Sequence, residues 1–249
     1  MAEISQTADR ALTVLIELGD RGPASPAELA RALGLSRTIV HRLLTTLMYR
    51  GFVVRHADGY VPSVLVSKIA GQVHTQLRHA ALPVMERLAD ETGETLNVHI
   101  PDGEQTVILD EVVAAAGLIR VERRLGSRYS LTSGAGGQAI LACLDAPAAE
   151  RMVRGADDAD GLRCQLDIVR NLGYARSQED FDSGVAELAV PVRDPTGRAV
   201  ASLALVVPSM RASAIEQHAA ALIDGAEQIG RQLRTGSRRR KAVPGTGSR

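Results

Sequence analysis

The chain has 249 residues, enough for one large domain or two of ordinary size. Its formal net charge is zero, so no overall basic field announces a nucleic-acid partner, and any DNA contact must come from locally placed arginines. Aromatic residues make up 2% and tryptophan is absent, which argues against stacking on single-stranded bases. Cys143 and Cys164 make no disulfide framework, no apolar run approaches the ~20 residues of a membrane helix, and the polar N-terminus with Glu3 and Asp9 does not read as a signal peptide. A cytoplasmic location is therefore expected.

In chain order, a first helix over 7–18 is expected to pack Ala8, Ala11, Leu12, Leu15 and Leu18 inward. Ser25-Pro26-Ala27-Glu28 then spells a capping box with proline at the first helical position. Gly34 ends that helix, and after a three-residue turn Ser36 caps a second one. The second helix, 37–50, carries Val40, Leu43, Leu44 and Leu47 on one stripe, with Arg37, Thr38, His41, Arg42 and Thr45 opposite. Two helices joined by a tight glycine turn, the second opened by small polar and basic residues, form the arrangement that reads a major groove. A plain structural helix pair has the same spacing. The segment after the second helix favours DNA: Phe52–Arg55 and Tyr60–Val61 flank His56-Ala57-Asp58-Gly59, a hairpin placed where a wing belongs.

A linker at 63–80 has Val64, Leu65, Val66, Ile69, Ala70 and Val73 on a helical pattern, an apolar face wide enough to need a partner. A further helix is expected from Leu82 to Glu91. Mixed α/β patterning comes next, with strands at 94–100, 105–112 and 118–121, and a helix entered through glycines at 134–144. Then come a helix at 162–172 and strands at 174–177, 185–192 and 199–207, the last pair joined by Asp194-Pro195-Thr196-Gly197. A helix from Ser213 to Leu233 closes the domain, and 236–249 reads as a disordered basic tail. Within it, Arg238-Arg239-Arg240-Lys241 is either a solvated end or an electrostatic aid to DNA binding.

Four stretches in this order resemble the IclR family of bacterial transcription regulators. They are Ala8-Asp9-Arg10-Ala11-Leu12, the run from Gly34 to Leu44, Glu91-Thr92-Gly93-Glu94-Thr95, and Leu131–Ala142 followed by Gly184–Val207. The resemblance implies an α+β protein: an N-terminal winged helix-turn-helix at 1–62, a linker helix at 63–80, and a C-terminal GAF-like α/β effector-binding domain at 81–235. It also implies dimers or tetramers, an operator of double-stranded DNA, and a small-molecule effector. Repression is the commoner role in the family. Ser36, Arg37, Thr38, Ile39, His41, Arg42, Thr45 and His56 are the expected DNA contacts. Tyr129, Leu131, Thr132, Gly134, Ala135, Gly136, Gln138, Glu187 and Ser202 are the expected effector contacts. Thr132, Gly134 and Gln138 stand where the family usually has His, Thr and Lys, and Glu187 stands where it often has cysteine.

The glycines at 134–137 open a helix, so their amides would suit a carboxylate at a positive dipole end; tight packing is the competing explanation. Val185, Glu187 and Ala189 share one strand face. A carboxylate among small apolar neighbours wants a partner, either a donor on the ligand or an arginine such as Arg120 or Arg128. If Glu187 faces the effector, it disfavours a second anion and favours a hydroxyl or amine, which points to a hydroxy- or amino-substituted acid. No catalytic set, metal ligands or cofactor motif stands out: the six histidines are scattered, His74 and His79 are five apart, and no Gly-x-Ser-x-Gly elbow occurs. A DNA-binding protein without effector, or an enzyme built on the C-terminal domain, are the alternatives.

Overall fold

The structure, a computed structural model, describes residues 4–71, 74–114, 121–178, 184–194 and 196–241, with 234–241 described for their backbone alone. Val73, Arg120, Pro195 and the tail beyond Lys241 lie outside these residues. The chain divides into two units, 1–75 and 76–249.

The first unit contains helices α1 (Gln6–Arg21), α2 (Pro26–Leu33) and α3 (Arg37–Tyr49), the hairpin β1 (Val53–His56) and β2 (Gly59–Pro62), and helix α4 (Val64–Ala70). The caps form as their residue types require. The Ser25 hydroxyl accepts from the Glu28 amide while Glu28 accepts from the Ser25 amide. Gly34 takes the left-handed conformation after α2, and Ser36 accepts from the Ile39 amide at 3.3 Å. A core of Val14, Leu18, Leu29, Val40, Leu43, Leu44, Leu47, Val53 and Tyr60 joins the three helices to the hairpin. In α1 the inward face differs from expectation. Val14 and Leu18 are buried, Ala11 and Leu15 pack at the edge, and Ala8 and Leu12 face out. The hairpin turns at Ala57-Asp58, with His56 paired to Gly59, so each strand runs one residue further than the sequence pattern suggests and the loop has two residues rather than four. Ala24 bridges Tyr60 through both backbone bonds, which ties the wing to the segment before α2. Only glycine fits at position 59: φ is 136°, and a Cβ would come within 2.8 Å of the Ala24 backbone.

The second unit is built on helix α5 (Thr75–Thr92) and a six-stranded antiparallel sheet. Its strands are β3 (Thr95–Asp102), β4 (Gln105–Val112), β5 (Arg128–Ser130), β6 (Ala175–Gln178), β7 (Val185–Arg193) and β8 (Ala199–Pro208), in the order β5-β4-β3-β8-β7-β6. Helices α6 (Gly134–Leu141), α7 (Ala146–Arg154) and α8 (Ala159–Leu172) lie between β5 and β6, and a 3-10 stretch Ser209–His218 leads into α9 (Ala219–Lys241). One sheet face carries Leu96, Val98, Leu188, Val190, Leu203 and Leu205, and packs with Val84, Leu88, Leu222 and Ile229 of α5 and α9. The opposite face carries Ala189 and Ala204 against Ala135, Ala139 and Ile140 of α6.

Several boundaries moved. The linker helix and the next helix were expected to meet near residue 80, but α4 stops at Ala70 and α5 runs unbroken from Thr75 with Pro83 inside it. Proline reads as a helix start, yet seven buried side chains from Leu77 to Ala89 hold α5 through it. Strand β5 and helix α7 were not foreseen; Val121, expected to end a strand, lies in a stretch outside any strand. The backbone of α9 continues to Lys241, so residues 236–241, expected to be disordered, are helical.

Candidate functional site: an exposed helix and a buried polar face

On α3, Arg37, Thr38, His41, Arg42 and Thr45 are all exposed, as is the capping Ser36. Ile39 is half-buried and packs at the edge of the core, so only part of it faces out. Thr45 and Thr46 donate back to the His41 and Arg42 carbonyls at 2.9 and 3.0 Å, which leaves their oxygens outward as acceptors. At the end of the same helix Tyr49 is exposed with the Arg50 guanidinium beside its ring, and on the hairpin Arg55 lies over Tyr60. His56 is exposed at the hairpin tip. Thr46 and Tyr49 were not singled out in the sequence, although their spacing on the polar stripe of α3 made them readable; nor was Arg55, which lies on β1.

In the second unit the expected effector residues separate into groups. Gly136, Glu187 and Ser202 come together, deep inside, with a residue the sequence reading overlooked. The His99 Nε2 stands 3.1 Å from Glu187 Oε1, and both side chains are 2% exposed. Glu187 Oε2 accepts from the Gly136 amide at 3.4 Å, and the Ser202 hydroxyl donates to the Gly136 carbonyl at 2.8 Å. The Ala135 amide donates to the Ser177 hydroxyl at 3.0 Å. His99 and Glu187 lie two strands and two like-facing rows apart, since His99 pairs with Ser202 while Glu187 pairs with Val206. The pair thus reaches across the sheet beneath α6. A β-bulge between Val98 and His99 sits beside it, a device that re-aims a side chain. Gly136 is required by this contact: a Cβ there would stand 2.5 Å from His99 Nδ1. Gly137 likewise packs on the Ser130 and Leu131 backbone. Tight packing therefore explains these two glycines.

Burial pushes the Glu187 carboxyl upward, but His99, the nearby Arg123 and the Gly136 amide together hold it below the usual carboxylate range. The same sheet face carries two further buried polar residues, Thr95 and Asn97, and the Asn97 amide, correctly oriented, donates to Glu111. Glu111 also accepts from the Arg123 amide at 2.7 Å. The Arg123 guanidinium lies over the Tyr129 ring.

The remaining expected residues point elsewhere. Leu131 is wholly buried in the core around α6. Gly134 takes a positive φ of 69° at the helix start. Thr132 lines a surface cleft of about 370 Å³ with Asp158 and Gln165. Gln138 donates to the Thr132 carbonyl and to Gln165, and lines another cleft, of about 250 Å³, with Arg176 and Glu216. Arg128, on β5, does not partner Glu187; it bonds Asp102 at the end of β3 and Gln105 at the start of β4, both in exposed contacts. The amides at the start of α6, expected to be open to a ligand carboxylate, are taken by Ser177 and Glu187. The alternation Thr95, Asn97, His99 between Leu96, Val98 and Ile100 was the signal that could have revealed the polar face.

A helix-turn-helix with its basic face outward, followed by an α+β domain with a polar interior, defines a transcriptional regulator. The chain belongs to the IclR family: residues 7–57 match the IclR helix-turn-helix domain and residues 71–231 match the bacterial transcriptional regulator IclR C-terminal domain. Relatives include the HTH-type transcriptional regulator KdgR of Escherichia coli, 25% identical over 88% of this chain and 89% of the relative. The probable transcriptional regulator SauR of Cupriavidus necator is 30% identical over 76% of this chain and 81% of its own. Among solved structures, the IclR of Thermotoga maritima matches with a TM-score of 0.75 at 25% identity, covering 91% of this chain and 98% of that one. An IclR homolog from Microbacterium hydrocarbonoxydans, complexed with 4-hydroxybenzoate, matches in fold with a TM-score of 0.74 at 22% identity, covering 92% and 100%. Among the described residues no helix is long and apolar enough to cross a membrane, and no cluster of side chains could hold a metal ion.

Proposed function

We propose that the protein is a cytoplasmic, effector-responsive repressor. A dimer places two α3 helices in successive major grooves of an inverted-repeat operator, with Arg37, Thr38, His41 and Arg42 toward bases or phosphates. Dimer contact is assigned to α1 and α4, whose exposed Leu12, Ile16, Val64 and Ile69 form more apolar surface than a small module leaves uncovered. A monomer at micromolar concentration in sedimentation removes the two-half-site model. Higher assembly to a tetramer is open to the same measurement.

The C-terminal domain is assigned a small organic acid carrying a hydroxyl or amine. The observation that carries this reading is the buried polar face of Thr95, Asn97, His99, Glu187 and Ser202, which a merely structural domain would fill with apolar residues. The 4-hydroxybenzoate held by a relative of the same fold supports that ligand class. Because the α6 amides are engaged, Arg123 is the better candidate to meet the ligand carboxylate. The effector acts by binding two arrangements of the DNA modules with different affinity. The test monitors DNA release from the gene's own upstream region while hydroxy and amino acids are titrated. Release by a specific acid supports a sensor; DNA binding unmoved by every acid, with no thermal stabilisation, leaves a regulator without an effector.

A further inference from the structure

The start of α6 is an anion site that the protein fills for itself. At a helix N-terminus the amides lack intrahelical partners and the dipole favours negative charge. Here the Gly136 amide meets Glu187 Oε2, and the second oxygen of that carboxylate faces His99 Nε2 at 3.1 Å. The seat is fully interior, since Gly134, Ala135 and Gly136 are buried along with His99 and Glu187. It is also imperfectly satisfied. His99 Nδ1 and Nε2 and Glu187 Oε1 have no hydrogen bond of good geometry among the described residues, although all three are shut off from solvent. The 3.4 Å reach from Gly136 to Glu187 is long for a charge-assisted bond. A carboxylate tethered to β7 thus sits where a small anion has the electrostatics of a binding site, without the freedom to optimise its contacts.

We infer that Glu187 is a built-in occupant of the α6 anion seat, which bars an effector carboxylate from this corner and becomes a carboxylate-binding site once the side chain is removed. The inference deepens the assignment of an acid effector to this domain and rests on it only for the ligand's orientation. The geometry is specific. Truncating Glu187 to alanine deletes one methylene and the carboxylate, which together have the heavy atoms of acetate. The vacated space retains the Gly136 amide, the His99 ring and the nearby positive charge of Arg123. In the wild type the lowered pKa of Glu187 keeps its negative charge in place at neutral pH, so a second carboxylate would meet like charge in a buried setting.

The experiment compares full-length wild type, Glu187→Ala and Glu187→Gln by thermal unfolding with increasing sodium acetate, at ionic strength held constant with sodium chloride. Acetate is expected to raise the midpoint of Glu187→Ala by about 3–5 °C for each tenfold excess over Kd. Wild type and Glu187→Gln, whose seats are occupied, should not move. Adding His99→Ala to Glu187→Ala should weaken the acetate effect. If Glu187→Ala is unfolded alone, recovery of a cooperative transition in acetate supports the inference, and no recovery overturns it. Equal responses in all three proteins, or none in a folded Glu187→Ala, also overturn it. DNA release from wild type by candidate acids is a separate readout: its absence would sink the sensor assignment and leave the acetate result standing.

Discussion

The two units manage polar groups in opposite ways. Among the described residues of 1–75 the core is apolar apart from the Tyr60 hydroxyl, and the polar side chains of α3 stand in solvent. In residues 76–249 one sheet face is apolar under α5 and α9, while the other buries His99, Glu187, Ser202 and Asn97. An exposed polar side chain keeps its water and can be replaced at little cost to folding. A buried one has exchanged water for specific neighbours, and each neighbour then depends on it. Recognition and stability should therefore separate in the first unit and be entangled in the second.

The largest effects test that contrast directly. Gly136→Ala forces a methyl into the His99 ring and should destabilise the protein by about 1–3 kcal/mol, read from denaturant unfolding. Operator affinity of the folded fraction should hold. A midpoint equal to wild type would mean that the α6–His99 contact is loose and that the entanglement is not real. Arg42→Ala and Arg37→Ala should do the reverse, weakening operator binding by about 1–3 kcal/mol where the arginine reads a guanine edge, with unfolding unchanged. An equal loss on every DNA sequence would assign that arginine to phosphate. Undiminished affinity in both variants would remove α3 as the reading helix.

Ser36→Ala sharpens the comparison, because the residue belongs to both categories. It lies on the exposed face, yet its oxygen caps α3 through the Ile39 amide. The expected cost is about 1 kcal/mol of stability. A loss of DNA affinity with stability intact would show that the hydroxyl acts on DNA rather than as a cap.

Acid sensitivity distinguishes the units further. The folded protein holds Glu187 below its usual value of 4.5, so the unfolded chain binds that proton first as the pH falls. Its stabilisation is complete above that value and is lost as pH drops through the lower, folded one. Unfolding of wild type and Glu187→Gln should therefore differ most near neutrality and converge in acid. A constant difference across this range would place the Glu187 contribution in packing rather than charge. The smallest effect expected is in the tail: deleting 236–249 should leave the salt dependence of DNA binding unchanged if the basic run is solvated, and make it shallower if it contacts phosphate.

Much of the first unit was legible because its determinants are local. A capping box at 25–28, a glycine stop at 34, a serine cap at 36 and a four-residue apolar stripe each act within a turn or two of the chain. Where local rules met tertiary packing they gave way. The helix expected from Leu82 starts instead at Thr75, because buried residues on both sides carry α5 through Pro83. Leu12 reads as core, but the neighbouring elements select Val14 instead.

By itself the sequence determined the order of the elements, the outward basic face of α3, and the position of Glu187 on the sheet face that also carries Ala189. It could not determine what Glu187 meets. Its partners come from residues 99 and 136, which are distant in the chain and are brought together only when β3, β8 and β7 align beneath α6. Strand alternation specifies a face, whereas register, the bulge beside His99 and the close approach allowed at Gly136 specify the neighbour. The start of α6, open in the sequence and occupied in the fold, was therefore decided by tertiary structure alone: a buried carboxylate is stable only where distant groups can replace the water it has lost.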